Sequence, residues 1–252
     1  MMKRLLVVLA VLSCRSAAGP EGKTCSTQVT ENDLTGIMMI FPEDSTANYA
    51  KLLPKKEGPY SNLSVCLTYN TDAPDEFILF SMATPRVHNA FVIGKKRGAG
   101  PFEVFVNDKK VLFHKAPQGP LSWIHLCTTW DSSTGLVQLW VDGQPSVKKL
   151  ASKGFLIQAT PIIILGQEQE SYGDRFDRDM TFVGHLSDLH VWDRVLQPCE
   201  VEQAMGGFMS RQGNVLDWGA LELEIFGNVV LESRQSTNAT AHTGPCLLPG
   251  KQ

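Results

Sequence analysis

Short apolar runs separated by turn residues recur along most of this 252-residue chain, and this pattern restricts its fold more than any other feature. Examples are residues 63–69, 123–130 and 162–165. Two of the intervening turns, Asn107-Asp108 and Asp142-Gly143, contain residues that commonly join antiparallel strands in two-residue hairpins. Many short strands of this kind predict an all-β sandwich or jelly roll rather than an alternating α/β fold.

One segment near the C-terminus has the signals of a helix. Pro198 suits the first helical position, Glu200 and Glu202 place negative charge in the first turn, and Gly206-Gly207 would end the helix. We therefore predict one short α-helix among the strands.

The N-terminus predicts export from the cell. Residues 1–4 are basic, residues 5–12 are apolar but too short to span a bilayer, and residues 16–18 are small, as at a cleavage site. We predict a secreted, extracellular protein without membrane insertion. The predicted parts are a signal peptide (1–18), an N-terminal arm (19–34), a main domain (35–233) and a C-terminal extension (234–252).

The charge of the mature chain is mildly acidic. Cleavage after Ala18 removes Lys3, Arg4 and Arg15 but no acidic residue, so the formal net charge changes from −3 to −6. A negative chain is a poor partner for a polyanion that binds through basic patches. We therefore predict no nucleic-acid partner.

The cysteines indicate disulfides, since the extracellular space is oxidising. Cys14 leaves with the signal peptide, and the five that remain are Cys25, Cys66, Cys127, Cys199 and Cys246. An odd number leaves at least one thiol that is free or bonded to another chain. Cys66 and Cys127 lie in strand-like runs, which suits a bridge in the core. Cys25 and Cys246 lie in polar ends, which suits flexible or intermolecular bonds.

Two glycosylation acceptor sequences are present, at Asn62-Leu-Ser64 and Asn238-Ala-Thr240. In a secreted chain both asparagines are candidate attachment sites. Both are therefore expected at the surface.

An acidic loop follows the apolar run that ends at Leu165. Its five carboxylates are those of Glu168, Glu170, Asp174, Asp177 and Asp179. Calcium is a hard cation that binds several carboxylate, amide and carbonyl oxygens, and this loop is rich in them. The alternative is a solvated loop whose charges are balanced by Arg175 and Arg178.

The segment His125-Leu-Cys127-Thr-Thr-Trp130-Asp-Ser132 resembles the signature of the pentraxin family. Further similar segments occur in the same order: residues 141–143, 164–169, the region of Trp192, the helix at Pro198, and residues 214–218. The resemblance covers roughly residues 30–232, and the chain is identified as similar to the short pentraxins.

This resemblance implies a two-sheet jelly-roll sandwich of the legume-lectin kind with one helix packed on one face. It implies a single intrachain disulfide, Cys66–Cys127, and a flat homo-oligomeric ring, usually a pentamer. Calcium on one face would bind phosphate-bearing ligands or acidic carbohydrates. The helix-bearing face would contact immune effectors such as complement.

The resemblance also implies calcium ligands residue by residue. The matching positions, all with oxygen donors, are Asn89, Glu168, Gln169, Glu170 and Asp177. Two positions depart from the family pattern, because His88 replaces an aspartate and Met180 replaces a glutamine. Imidazole and thioether groups are poor calcium ligands, so we expect weakened calcium binding.

The ligand pocket departs further from the choline-binding members of the family. Lys110 stands where they have a glutamate, and Gly94 lies near the position of their phenylalanine. A lysine there would repel a choline cation. Lys95, Lys96 and Arg97 would suit an anionic ligand, and the alternative interpretation of these three residues is a solvated loop tip.

Three functions are therefore considered. The first is a secreted calcium-dependent pattern-recognition lectin with an innate-immune role, and the alternative is a calcium-independent structural or protein-binding pentraxin whose metal site has decayed. The third is a glycoside hydrolase that uses Glu168 and Glu170 on one strand face. The resemblance explains these two residues as metal ligands, so we predict that the protein is not an enzyme.

Overall fold

The computed structural model describes residues 31–114, 122–205 and 212–234. Two antiparallel sheets of eight and nine strands account for nearly all of this regular structure, which confirms the predicted all-β fold. The predicted signal peptide, Cys25, Cys246 and Asn238 lie outside the described residues.

The eight-stranded sheet contains, in spatial order, β1 (Glu31–Asn32), β16 (Leu221–Phe226), β3 (Tyr49–Leu53), β13 (Ile162–Leu165), β5 (Phe77–Thr84), β6 (Val87–Lys95), β7 (Phe102–Val106) and β8 (Lys109–Phe113). The nine-stranded sheet contains β11 (Gln144–Pro145), β10 (Leu136–Val141), β9 (Ile124–Asp131), β4 (Asn62–Asn70), β14 (Gly184–Trp192), β2 (Ile37–Phe41) and β17 (Val230–Ser233), with β12 (Lys149–Leu150) on β10 and β15 (Leu216–Asp217) on β14. Two short 3-10 turns span Arg178–Met180 and Trp218–Ala220.

The predicted helix is α1 (Pro198–Met205). No helix in the described ranges has the length and apolar character needed to cross a membrane.

The core lies between the two sheets and follows from the alternation of side chains along each strand. In β9, Leu126 and Trp130 are buried in this core, whereas His125 and Cys127, which flank Leu126, are not part of it. Trp218 and several phenylalanines fill the remaining space and are almost completely buried. Burial of this apolar surface is the main driving force for joining the sheets.

The predicted disulfide is confirmed, but it lies outside the main core. Cys66 of β4 and Cys127 of β9 are directly opposite each other and form a bond on the outer face of the nine-stranded sheet. With Trp140, Trp192 and Val201 they form a second, smaller apolar cluster. Because Val201 belongs to α1, the disulfide lies between the sheet and the helix.

Both predicted hairpins are confirmed. Asn107 and Asp108 have φ values of 51° and 60° and connect β7 to β8. Asp142 and Gly143 have φ values of 48° and 75° and connect β10 to β11. Positive φ at both central positions matches the right-handed twist of paired strands, and Asn, Asp and Gly tolerate it best.

The sequence pattern predicts a strand beginning at Met180, and that prediction is wrong. Residues 180–183 belong to the loop, and β14 begins only at Gly184. The Asp177 carboxylate accepts a hydrogen bond from the Asp179 backbone N–H at 3.0 Å and so caps a 3-10 turn. Asp commonly offers the backbone such a local alternative to the sheet.

The start of the sandwich also differs from the prediction of a loose arm up to residue 34. Residues 31–32 form β1, paired with β16, and Leu34 is buried. Strand β3 is absent from the predicted strands, because Lys51 interrupts its apolar run within only five residues.

We expect the double variant Cys66→Ala/Cys127→Ala to lose about 2–4 kcal/mol of unfolding free energy, because the bond restricts a long loop in the unfolded chain. Urea denaturation of the purified protein measures this loss. Cys199→Ser is the control, since Cys199 forms no disulfide in the described part of the chain. Equal midpoints for wild type and the double variant would contradict the expectation.

Candidate functional site

The acidic loop, residues 166–183, leaves the eight-stranded sheet at the end of β13. Its base is closed by a hydrogen bond from the Phe182 N–H to the Gly166 carbonyl at 3.0 Å. The Phe182 ring is fully buried and packs edge-on against Phe41. Gly166 has a φ of 87°, and a Cβ atom there would lie 2.4 Å from the Phe41 ring. A glycine is therefore required at the start of the loop.

Gln169 fixes the loop to the outer face of the eight-stranded sheet. Its side-chain nitrogen donates to the carbonyls of Ser81 at 2.9 Å and Ile162 at 3.1 Å, and its side-chain oxygen accepts from the Gly173 N–H at 3.0 Å. The nitrogen and the oxygen of this side chain are thus both engaged in hydrogen bonds that hold the loop.

Gln167 holds the other side of the loop, a role that no sequence motif indicates. Its side-chain nitrogen donates to the carbonyls of Ser45 at 3.0 Å and Asn48 at 3.1 Å, and its oxygen accepts from the Thr181 hydroxyl at 3.3 Å. These bonds join residues that are far apart in sequence, which explains why sequence reasoning missed them.

Glu168 lies between these two glutamines and is the most unusual acid of the site. The residue is only 4% exposed, and its carboxylate forms no hydrogen bond with any residue that the structure describes. Burial, followed by the nearby charges of Glu170 and Glu103, raises the pKa of Glu168 to about 7, although Lys110 and Lys96 oppose the shift. A buried carboxylate without hydrogen bonds is costly, and a bound cation would remove that cost.

Asn89 provides a second buried oxygen without a partner. Its side-chain oxygen is inaccessible to solvent and accepts no hydrogen bond from the described residues. The residue is fixed near the start of β6, where its backbone carbonyl accepts from the Asp108 N–H at 3.0 Å. Its neighbour His88 is half-buried. Buried polar atoms normally have partners, so this oxygen is available to a cation.

The other two proposed ligands, Glu170 and Asp177, are exposed. Asp177 also caps the 3-10 turn through one carboxylate oxygen. Within residues 31–114, 122–205 and 212–234, no three His, Cys, Asp or Glu side chains are grouped closely enough to hold a metal ion. The donors present are the hard oxygens that calcium prefers, and those of Glu168 and of the Asn89 side chain have no hydrogen-bond partner among the described residues, so the residues fit calcium chemically.

The arrangement expected of a glycoside hydrolase is not found. Glu168 and Glu170 lie in the loop after β13 and not on a strand. One is buried and the other is exposed, so they do not form a pair facing a common cleft. The prediction that they share a strand face is wrong.

An ammonium group of the chain itself, that of Lys110, lies between a buried carboxylate and an aromatic ring. Glu103 is almost fully buried, and its carboxylate lies 3.1 Å from Lys110 Nζ and 3.4 Å from Lys96 Nζ. The Lys110 ammonium also lies 4.8 Å from the centre of the Phe105 ring. An aromatic face beside a carboxylate is a typical environment for a bound ammonium ion. Lys110 therefore takes the place of a cationic ligand.

The basic run at residues 95–97 is paired within the protein. Lys95 Nζ donates to the carbonyls of Lys96, Gly98 and Gly100. Lys96 also bonds to Glu76, and Arg97 lies 2.8 Å from Asp75. The cations of this run therefore have partners already, which gives little support to their prediction as an anion-binding patch.

An open depression lies beside the loop. It is lined by Glu170, Arg175, Phe176, Asp177 and Arg178. The Phe176 ring packs on Tyr49 with ring centres 4.7 Å apart, and Tyr49 stacks on Phe226 at 4.3 Å. This aromatic stack anchors the tip of the loop to β3 and β16.

The remaining predicted positions lie elsewhere. Asn62 is the first residue of β4 and is half-buried. Cys199 is the second residue of α1, is partly exposed and forms no disulfide with a described residue.

Comparison with known proteins gives a consistent result. The Pentaxin family matches residues 37–233. The chain is 36% identical to serum amyloid P-component of Sus scrofa over 233 residues, covering 92% of this chain and 99% of that protein. It is 37% identical to the Rattus norvegicus protein of the same name over 211 residues, covering 84% and 91%. Among solved structures, a native heptameric SAP-like pentraxin from Limulus polyphemus covers 79% of this chain and 95% of its own, with a TM-score of 0.70 and 24% identity.

The raised pKa of Glu168 predicts a pH-dependent stability in a calcium chelator. The folded carboxyl holds its proton up to a pH of about 7, whereas the ordinary value is 4.5. Proton binding therefore favours the folded state, and stability should fall as the pH rises from 4.5 through 7. We expect Glu168→Gln to remove part of this fall, as measured by urea unfolding at pH 5 and pH 8. The control, Asp179→Asn at an exposed position, should follow wild type, and identical pH profiles for all three proteins would contradict the prediction.

Proposed function

The chain belongs to the pentaxin (pentraxin) family, and from that premise we propose that it is a secreted, calcium-dependent pattern-recognition lectin. It would bind anionic or phosphate-bearing groups on cell surfaces or debris, with a role in innate immunity. The observation that carries this proposal is that neither the carboxylate of the buried residue Glu168 nor the inaccessible side-chain oxygen of Asn89 has a hydrogen-bond partner among the described residues. Both sit at positions that match the family's metal ligands.

Five residues would hold the ion: Asn89, Glu168, Gln169, Glu170 and Asp177. Bound calcium supplies positive charge to an anionic oxygen of the ligand. The chain's own part is to bury Glu168 and the side-chain oxygen of Asn89, which limits the competition from water for these oxygens. Gly166 and Gln169 contribute by fixing the path of the loop.

Calcium binding should be weak. Neither the imidazole of His88 nor the thioether of Met180 replaces the hard oxygen that the family has at each position. Lower ligand charge and number reduce affinity. The two exposed acids, Glu170 and Asp177, would also have to move or lose hydration in order to bind the ion.

The ligand should carry negative rather than positive charge at its contact with the chain. The aromatic and acidic environment formed by Phe105 and Glu103 already holds the Lys110 ammonium. A choline group would have to displace this lysine, which would break the Lys110–Glu103 ion pair and exchange one cation for another. The exchange also replaces an N–H donor with a quaternary ammonium that can donate no hydrogen bond to the buried carboxylate.

The protein would work as a homo-oligomeric ring. The Limulus polyphemus relative is described as heptameric, and the family resemblance predicts a pentamer. Repetition of weak sites in a ring raises the overall affinity for a surface that carries many copies of the ligand. The helix-bearing face, with α1 over the disulfide, would be left for partners such as complement.

Secretion, glycosylation and the division of the chain are part of the same proposal. The relatives are named as serum proteins, which supports removal of residues 1–18 and an extracellular location. Asn62 and Asn238 would carry glycans. The domain would span residues 35–233, and its function would be binding rather than catalysis.

A second candidate function is a calcium-independent structural or protein-binding pentraxin. It is favoured by one observation, namely that the metal-binding acids in the described ranges are not grouped around a common point. In that case Glu168 would be a remnant of the site, and partners would bind elsewhere.

Calorimetric titration of residues 19–252 with calcium separates the two functions. We expect wild type to bind with a dissociation constant in the roughly 10⁻⁵–10⁻³ M range typical of weak extracellular sites. Glu168→Gln should bind at least about 10-fold more weakly, because a charged ligand is lost. Glu202→Gln, on the exposed side of α1, makes the same chemical change away from the site and should bind like wild type. No heat of binding for wild type up to about 10⁻² M calcium would establish the second function instead.

A further inference from the structure

The open depression beside the acidic loop contains two cations and two anions. Arg175 and Arg178 face it together with Glu170 and Asp177. The formal charges of these four side chains therefore sum to zero. None of the four is ion-paired with another in the described part of the chain, so the two acids oppose the two arginines through the field of the depression and not through contacts.

Arg175 is the less engaged of the two arginines. Its side chain is exposed and forms no ion pair or hydrogen bond with the part of the chain that the structure describes. Arg178 Nε lies 3.2 Å from an Asp44 carboxylate oxygen, and these side chains are 71% and 54% exposed. An ion pair this exposed contributes little energy, so Arg178 can exchange partners readily.

The backbone conformation at Arg175 is fixed by local contacts. Its N–H donates to the Asp174 carboxylate at 2.7 Å, and its φ of 59° turns the chain sharply before Phe176. The Phe176 ring is then held by the aromatic stack with Tyr49. A flexible arginine head thus projects from a fixed point of the loop.

Three lysines in or beside the eight-stranded sheet are already paired with acidic residues. Lys51 lies 3.5 Å from Glu224 in the neighbouring strand. Lys96 and Lys110 are both bonded to the buried Glu103. An anionic ligand would therefore have to break an existing ion pair to use any of these three, whereas Arg175 carries no such cost.

We propose that Arg175, assisted by Arg178, contacts the anionic group of the ligand, and that calcium binding strengthens the attraction of these arginines for it. The proposal rests on the proposed calcium site. When Glu170 and Asp177 serve the ion, their charges no longer cancel those of Arg175 and Arg178. The depression then gains net positive charge, and calcium dependence extends to residues that do not touch the metal.

The chemistry of the depression indicates the class of ligand. A guanidinium group binds a sulfate or carboxylate through two parallel hydrogen bonds, which a lysine cannot reproduce. The half-buried Phe176 ring beside Arg175 offers an apolar surface to the face of a sugar ring. A sulfated or carboxylated saccharide matches both features.

The test compares wild type with Arg175→Ala and Arg175→Lys, using a heparin hexasaccharide as the probe in the presence of saturating calcium. We expect Arg175→Ala to weaken saccharide binding about 10-fold, as for loss of a charge-assisted hydrogen bond. Arg175→Lys should lose less, since it keeps the charge, and both variants should bind calcium at least as tightly as wild type. Arg97→Ala removes an equally exposed arginine that is paired with Asp75, and it should bind the saccharide like wild type.

The outcomes are distinct. Unchanged saccharide affinity in Arg175→Ala, with calcium bound, would overturn the role of the arginine and leave the proposed calcium function intact. Equal saccharide binding by wild type in calcium and in chelator would overturn the control by calcium. An absence of calcium binding in wild type would remove the proposed function and this inference together. The inference is supported if Arg175→Ala binds the saccharide more weakly than wild type in calcium, and if the two proteins no longer differ in chelator.

Discussion

The contact between the two sheets determines where function can reside. Alternate side chains of each strand enter the core, with Trp130 and Trp218 among the largest buried groups. The intervening side chains are left on the two outer faces, and each face carries one added element. One face bears α1, packed over the Cys66–Cys127 disulfide and its tryptophans. The other bears the acidic loop, so a helix-bearing surface and a candidate ligand surface lie on opposite sides of one core.

The acidic loop combines a rigid frame with an unsatisfied interior. Gln167 and Gln169 use their amides to hold the loop to the sheet, and Gly166 allows its first turn. Within this frame the residue Glu168 is buried, and its carboxylate has no hydrogen bond to a described residue. A fold does not normally keep a buried carboxylate in that state unless its charge is neutralised. The energetic cost of Glu168 therefore connects the packing of the loop to the cation-dependent function that we propose.

Much of the fold follows from local chemistry that a sequence shows directly. The hairpin at Asn107-Asp108 and the helix at Pro198 depend on residues within a few positions of each other, and both are confirmed. The disulfide depends on the family resemblance, since spacing alone does not choose a pair among five cysteines. The 3-10 turn at residues 178–180 was missed because one capping bond from Asp177 outweighs the strand propensity of the segment that follows.

The candidate site was less accessible to prediction than the fold. The acidic residues could be found from composition and resemblance. The residues that pair with charged groups or hold the loop in place could not be found in this way. The pairing of Lys110 with Glu103, and of Gln167 with the backbone of residues 45–48, joins distant parts of the chain with no motif. Such contacts arise only when strands become neighbours. They decide whether a charged residue is free to bind a ligand, as Arg175 is, or already paired, as Lys96 is.

A crystal structure of the mature protein grown with calcium tests the central claim most directly. The account predicts a calcium ion bound by carboxylate oxygens of Glu168 and by the side-chain oxygen of Asn89, with Glu170 and Asp177 drawn towards it. It would be contradicted by a structure at saturating calcium in which no ion touches Glu168 and that carboxylate is instead bonded to Lys110 or to water.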